Sequence, residues 1–180
     1  DTSTTSPTEP IADFGTIVFL GQSPENSFLG NPTLVPFETT VAIAGDADEL
    51  ERLKATLNML GSEDLTIPDG FINSVPAGVE ALDVRRAEGE PNALIVEMNQ
   101  AFLDGAGGLL ADFTMLNQLI YTATGALPDV VQVQFIVDNQ QVTQFGSEGL
   151  DLSSAVDRET FQEHLALIYL TSPILANQDG

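Results

Sequence analysis

The chain has 180 residues, with 27 acidic side chains, five lysines and arginines, and a formal charge of −22 at pH 7. Nucleic acid is effectively excluded as a partner, and anionic membrane surfaces are disfavoured, because both are bound through clustered cations. The 43% hydrophobic content suffices for the core of one domain, and the absence of cysteine excludes disulfides and thiolate chemistry. The acidity favours a solvated surface; adaptation to salty surroundings and calcium binding are the alternatives.

The N-terminal part combines a polar segment with two strands. Residues 1–10, DTSTTSPTEP, have the composition of a disordered tether, and we assign residues 11–175 to a single domain. No apolar run approaches the roughly 20 residues that span a bilayer. FGTIVFL at 14–20 predicts a strand. TLVPFETTVAIA at 33–44 predicts a second strand, in which Pro36 favours a bulge or an edge position.

The clearest helix is predicted over residues 47–60. Asp46 and Glu49 form a D-x-x-E pattern typical of a helix N-terminus, and Gly61 suits the C-terminal cap. Its apolar stripe consists of Leu50, Leu53, Leu57 and Leu60. An irregular connector follows at 62–80, with hinges predicted at Pro68, Gly70, Pro76 and Gly78. Its expected anchors to the core are Ile67, Phe71 and Val75.

The segment 81–91 predicts a strand and turn, with Leu82 and Val84 facing the core. It is expected to pair antiparallel with a second strand at 93–102. In that strand Leu94, Val96 and Met98 alternate with residues of the opposite face. The sequence therefore predicts a hairpin that contributes two neighbouring strands to a sheet.

A glycine turn, a helix and another strand continue the chain. The turn at 104–108 contains Gly105, Gly107 and Gly108, which suit positive φ values. Helical spacing over 109–124 places Leu109, Phe113, Leu116 and Ile120 on one stripe, with Leu110 and Leu119 beside it. The strand near 130–137 would bury Val131, Val133, Phe135 and Val137. Asp138 and Asn139 occupy the position of a tight hairpin turn.

The C-terminal part is predicted to contain a Gly/Ser-containing linker at 145–154 and a helix at 157–170. Asp157 is its expected N-cap. Together these elements predict an α+β fold, in which an antiparallel or mixed sheet carries two helices on one face. The opposite face would be a possible surface for a partner. Its side chains would be Asp83, Arg85, Ile95, Glu97, Asn99, Gln132, Gln134 and Ile136.

Several stretches together resemble the GerMN domain of sporulation and spore germination proteins. The matching stretches are LVPFETTV (34–41), ELERLKATLNML (49–60), SVPAGVEALDV (74–84), IVEMNQAFLDGAGG (95–108) and LNQLIYTATGALPDVVQVQFIVDN (116–139). The order and spacing of these stretches carry the resemblance, which spans residues 14–165. The chain departs from the family where Gly61 lacks a following proline and where Asn139 replaces glycine. Asparagine also tolerates the positive φ of such a turn.

The resemblance implies a non-enzymatic module, akin to the ring-building motifs of secretion assemblies. Such modules lie outside the cytoplasmic membrane and are commonly anchored as lipoproteins or by a transmembrane segment. The implied partner is a protein of the bacterial envelope or another copy of the chain, with membrane contact only through an N-terminal anchor. Sporulation itself is not implied, because many bacteria with this domain form no spores.

The sequence contains no recognisable catalytic, cofactor or metal motif. The only histidine, His164, lies in a helical pattern without a nucleophile elbow. Neither Asp46–Glu49 nor Asp104–Asp112 has the spacing of a calcium loop. We therefore predict no catalytic residues, no cofactor and no metal. Two alternatives remain: a binding domain for a small molecule or cell-wall fragment in connector 62–80, and a hydrolase using two carboxylates.

Overall fold

The computed structural model describes residues 10–22 and 34–161, which form an α+β fold, as predicted. Residues 1–9, most of the predicted tether, and 162–180, most of the predicted C-terminal helix, lie outside this part. The helices are α1 (Glu49–Leu60) and α2 (Leu109–Ala126), and a 3-10 helix covers Gln100–Asp104. The strands are β1 (Ile11–Gln22), β2 (Leu34–Ala44), β3 (Phe71–Ile72), β4 (Ala81–Ala87), β5 (Glu90–Met98), β6 (Gln132–Val137), β7 (Gln140–Gln141), β8 (Gln144–Phe145) and β9 (Leu150–Asp151).

The strands expected in one layer are divided among separate sheets. The N-terminal sheet has the order β2-β1-β3, and the four-stranded sheet has the order β4-β5-β6-β7. Strands β4 and β5 pair antiparallel as predicted, whereas β5 and β6 run parallel. Parallel neighbours need a crossover, and α2 provides it. β2 is an edge strand, which confirms the position inferred from Pro36.

Both helices contact both sheets, and a single buried core joins them. In β5 the predicted inward residues Leu94, Val96 and Met98 are fully buried. Helix α2 is buried on most of its circumference rather than along one stripe, although Leu110 remains 42% exposed. This difference arises because α2 packs against strands of two sheets, whereas one sheet would leave the opposite side of the helix in solvent.

The start of α1 lies two residues later than predicted. Asp48 is the N-cap, and its side chain accepts hydrogen bonds from the backbone of Leu50 and Glu51, while the Glu51 side chain accepts one from the Asp48 backbone. The DADELE segment contains two overlapping D-x-x-E patterns. The first is not used, because its Asp46 belongs to the turn in which the Ala47 backbone bonds Ala44.

Two predicted side-chain directions are wrong, and a third residue is buried although it lies on the predicted face. Leu82 is 51% exposed, because a register shift between Ala81 and Asp83 turns Ala81 into the core instead. Val131 is 53% exposed, because β6 begins only at the next residue. Ile136 lies on the predicted face but is only 6% exposed there, between its cross-strand neighbours Glu97 and Gln141.

The predicted linker at 145–154 is wrong, because a packed hairpin occupies it. Strands β8 and β9 pair antiparallel, and Phe145, Leu150 and Leu152 are buried. The Phe145 ring lies 4.7 Å from the ring of Phe102, between centroids. Two-residue strands give too short a pattern to be recognised from sequence, and the polar GSEG segment resembled a loop.

The predicted turns are confirmed by the backbone. Asp138 and Asn139 have φ values of 51° and 61° and connect β6 to β7. The Pro76 carbonyl accepts a hydrogen bond from Val79 across Gly78, whose φ is 88°. Gly105, Gly107 and Gly108 also have positive φ values. At the predicted N-cap of the C-terminal helix, the Asp157 carboxylate accepts hydrogen bonds from the backbone N–H groups of Glu159 and Thr160.

Candidate interaction surface

The four-stranded sheet has one face toward the helices and one toward solvent. On the outer face the strand register sets Asp83 opposite Glu97 and Arg85 opposite Ile95. Ile95 in turn lies opposite Gln134 of β6. We call these five residues the outer face. All five are partly exposed, so the structure brings together five of the side chains predicted on this surface.

Arg85 holds two carboxylates of the outer face. Its Nη1 lies 2.7 Å from Asp83 Oδ2 and 3.8 Å from Glu97 Oε2. The side chains of Arg85 and Asp83 are 42% and 50% exposed, and that of Glu97 is 17% exposed. Exposed pairs of this kind contribute only about 0–1 kcal/mol to stability. The arrangement therefore matters as a fixed pattern of charge beside an apolar side chain, Ile95, more than as a source of stability.

Two further polar residues, Asn99 and Gln132, were predicted on this surface. Asn99 connects the end of β5 to the connector through two hydrogen bonds. Its Nδ2 donates to the Gly78 carbonyl at 2.7 Å, and its Oδ1 accepts from the Glu80 backbone N–H at 3.3 Å. Gln132 lies at the start of β6, opposite Ala93, on the same side of the sheet as Gln134, and is partly exposed, as predicted. The structure gives Asn99 a structural role.

A second charged cluster joins three parts of the fold, and sequence reasoning missed it. The Arg86 guanidinium donates to Glu49 Oε1 at 2.9 Å, to Asp129 Oδ2 at 2.7 Å and to the Pro91 carbonyl at 3.0 Å. The bonds to Glu49 and Asp129 raise the pKa of Arg86, the bond to Glu49 most, and the bond from Arg86 lowers the pKa of Asp129. The available signal was the Arg-Arg pair in a chain with five basic residues.

Replacing Asp129 with asparagine should remove a pH-dependent part of the stability. Because the folded state lowers the pKa of Asp129, the ion pair stabilises the fold above the ordinary carboxyl range. This stabilisation is lost as the pH falls through the folded pKa. The difference in unfolding free energy between wild type and Asp129→Asn, measured by urea unfolding, should shrink below about pH 4. Glu88→Gln removes an exposed carboxylate outside this cluster and serves as control. An undiminished difference at about pH 2 would contradict the prediction.

The surface also has shallow depressions, one of which borders the connector proposed for ligand binding. It has a volume of about 300 Å³ and is lined by Phe37, Glu38, Thr39, Thr40, Asp64 and Thr66. Its two carboxylates, Glu38 and Asp64, are exposed to solvent. A general acid usually lies in an apolar environment, so this pair gives no support to the hydrolase alternative.

No metal site or membrane span is found in the part of the chain that the structure describes. Within residues 10–22 and 34–161, no group of three or more acidic or histidine side chains could hold a metal ion. No helix of this part is long and apolar enough to cross a membrane. His164 lies outside the described residues.

The two helices and the mixed sheet define an α+β fold, with no recognised reaction centre among the described residues. The family model for sporulation and spore germination proteins, named Germane, matches residues 23–143, and the chain belongs to this family. Among curated proteins, none matches the chain.

Solved structures share the fold. The tandem GerMN domains of the sporulation protein GerM from Bacillus subtilis match with a TM-score of 0.63 and 12% identity, over 82% of this chain and 47% of that one. The chain thus spans about half of that tandem structure. The first GerMN domain of GerM matches with a TM-score of 0.60 and 14% identity, over 81% and 98% of the chains. A candidate lipoprotein from Clostridium perfringens has a TM-score of 0.50 and 16% identity, over 86% and 94%.

Proposed function

We propose that this chain is a non-enzymatic interaction module of the bacterial cell envelope, located outside the cytoplasmic membrane and anchored as a lipoprotein. Membership of the sporulation and spore germination family supports the module, and the fold shared with a candidate lipoprotein supports the location. The Ser/Thr/Pro-rich first ten residues suit a tether. The partner is another envelope protein or a second copy of the chain.

The observation that carries the proposal is the order of side chains on the partly exposed outer face. A sheet face that only has to be solvated needs no particular order of side chains, whereas here Ile95 lies beside a fixed Asp83–Arg85–Glu97 charge pattern. Apolar contact at the centre with oriented charges around it is the usual arrangement of a protein interface. The charges would set register and partner choice more than affinity.

Site-specific photo-crosslinking in native cells tests the proposal. A benzoylphenylalanine in place of Gln134, on the outer face, should give one discrete protein adduct, and Arg85→Glu should reduce its yield at least tenfold. The same probe in place of Glu63, an exposed residue of the connector, serves as the matched control. Identical adducts from both positions, or none from Gln134, would count against the outer face as an interface.

A further inference from the structure

A second surface of the molecule, the edge of β1, is open to another strand. Along one side β1 pairs with β2 without interruption from Ile11 to Gly21. Along the other side β3 pairs only with Gly21 and Gln22. Residues toward the N-terminus of β1 therefore depend on another element for their hydrogen bonds on this side.

Two side chains of helix α2 protect the next outward-facing residue of this edge, Phe19. The Phe19 backbone N–H donates to Thr122 Oγ1 at 3.1 Å, and its carbonyl accepts from Gln118 Nε2 at 2.8 Å. Both side chains are fully buried in α2. The edge is thus closed from Phe19 to Gln22 by β3 and by two side chains that act in place of a strand.

Toward the N-terminus from Phe19, no described residue protects this edge. Because peptide groups alternate in direction along a strand, the backbone groups of Ile17, Gly15 and Asp13 point to the same side as those of Phe19. Among the described residues, none donates to or accepts from these groups. All three residues are exposed, Ile17 by 47%. Open strands of this kind are usually blocked, because they offer a template for pairing.

The opposite edge of the same sheet carries such a block. Pro36 of β2 lies opposite Phe19, so its missing N–H is on the outer side of β2. Glu38, opposite Ile17, adds a charge to this side. The β1 edge has no proline between Asp13 and Ile17. At Gly15, no described atom outside the adjacent residues lies within 4 Å of the position that a Cβ would occupy. The two edges therefore differ in their readiness to accept a strand.

Charge decides which partner fits. A second copy would bring another formal charge of −22 against this edge, where Asp13 and Glu38, the cross-strand neighbour of Ile17, are both acidic. We propose that the β1 edge from Asp13 to Ile17 binds an extended, lysine- or arginine-rich segment of a partner protein by strand addition. In strand addition, backbone hydrogen bonds supply the affinity. Alternate side chains of the bound segment would lie beside Ile17, Asp13 and Glu38, and these contacts would select its sequence. The inference rests on the proposed role as an interaction module and assigns it a second surface.

Hydrogen exchange followed by NMR tests this with a defined probe, a nine-residue peptide alternating lysine with valine and threonine. At saturation the amides of Asp13, Gly15 and Ile17 should exchange at least tenfold more slowly, while those of Thr40 and Ala42 on the β2 edge stay unchanged. A peptide of equal charge with two central prolines should protect neither edge, because it cannot form the ladder.

Two proline variants separate edge pairing from simple charge attraction. Gly15→Pro removes an outward N–H of the β1 edge and should weaken peptide binding at least tenfold; Ile17→Pro serves the same purpose if Gly15→Pro does not fold. Ala42→Pro makes the same change on the β2 edge and should leave binding unchanged. Equal binding of both peptides, protection of the β2 edge, protection that rises with protein concentration alone, or no protection would each overturn strand addition. These outcomes leave the outer-face crosslinking result unaffected, so the two proposals fail separately.

Discussion

Gly61→Ala is expected to lower the free energy of unfolding by about 3 kcal/mol. A methyl group at this position would lie 1.9 Å from the Val79 carbonyl oxygen and 3.0 Å from its carbonyl carbon. Both are backbone atoms, and the connector cannot move away without losing the hydrogen bond from the Gly78 N–H to the Gly61 carbonyl. The φ value of Gly61 is −89°, so the cost is steric and does not come from backbone strain. Equilibrium unfolding in urea measures it.

Gly15→Ala is the matched control for this variant. It places the same methyl group in an extended strand, where nothing lies within 4 Å. Its unfolding free energy should stay within about 0.5 kcal/mol of wild type. If Gly61→Ala were equally mild, the connector would not press against the end of α1, and the tight approach of Val79 would be wrong.

Gln118→Met is expected to cost about 3–5 kcal/mol, because it leaves two partly buried backbone groups, the Ser74 N–H and the Phe19 carbonyl, without their partners at once. Gln118 Oε1 accepts from the Ser74 backbone at 2.7 Å, and Nε2 donates to the Phe19 carbonyl at 2.8 Å and to Asn73 Oδ1 at 3.1 Å. Methionine keeps the length and volume of the side chain, so packing changes little. Besides a lower urea midpoint, the Ser74 amide should exchange faster with solvent.

The neighbouring position of α2 supplies the control for this variant. Asn117 is also buried, with 7% exposure, but its Oδ1 has no hydrogen-bond partner among the described residues. Asn117→Leu should therefore change the unfolding free energy by no more than about 1 kcal/mol. A loss as large as that of Gln118→Met would mean that volume at the helix surface, and not hydrogen bonding to β1 and the connector, decides stability there.

The amino-acid sequence by itself determined the features that depend on neighbouring residues. The alternation in β5 placed Leu94, Val96 and Met98 in the core, and the Asp138–Asn139 pair formed the expected turn with positive φ. Most of the outer face followed from the same alternation, since one inward set of side chains fixes the outward set. These features were predictable because a strand period or a turn depends on a few consecutive residues.

Tertiary structure decided the features that depend on distant partners. The packing of α2 decides whether β5 pairs parallel with β6. It also decides whether β1 and β2 join the sheet of β4 to β7 or form a sheet of their own. The short β8–β9 hairpin is held by the packing of Phe145 against Phe102, and no local sequence pattern predicts that contact. The Arg86 cluster joins residues 37 and 43 positions away. Contacts across such distances are selected by the packing of the whole core, so local sequence patterns could not reveal them.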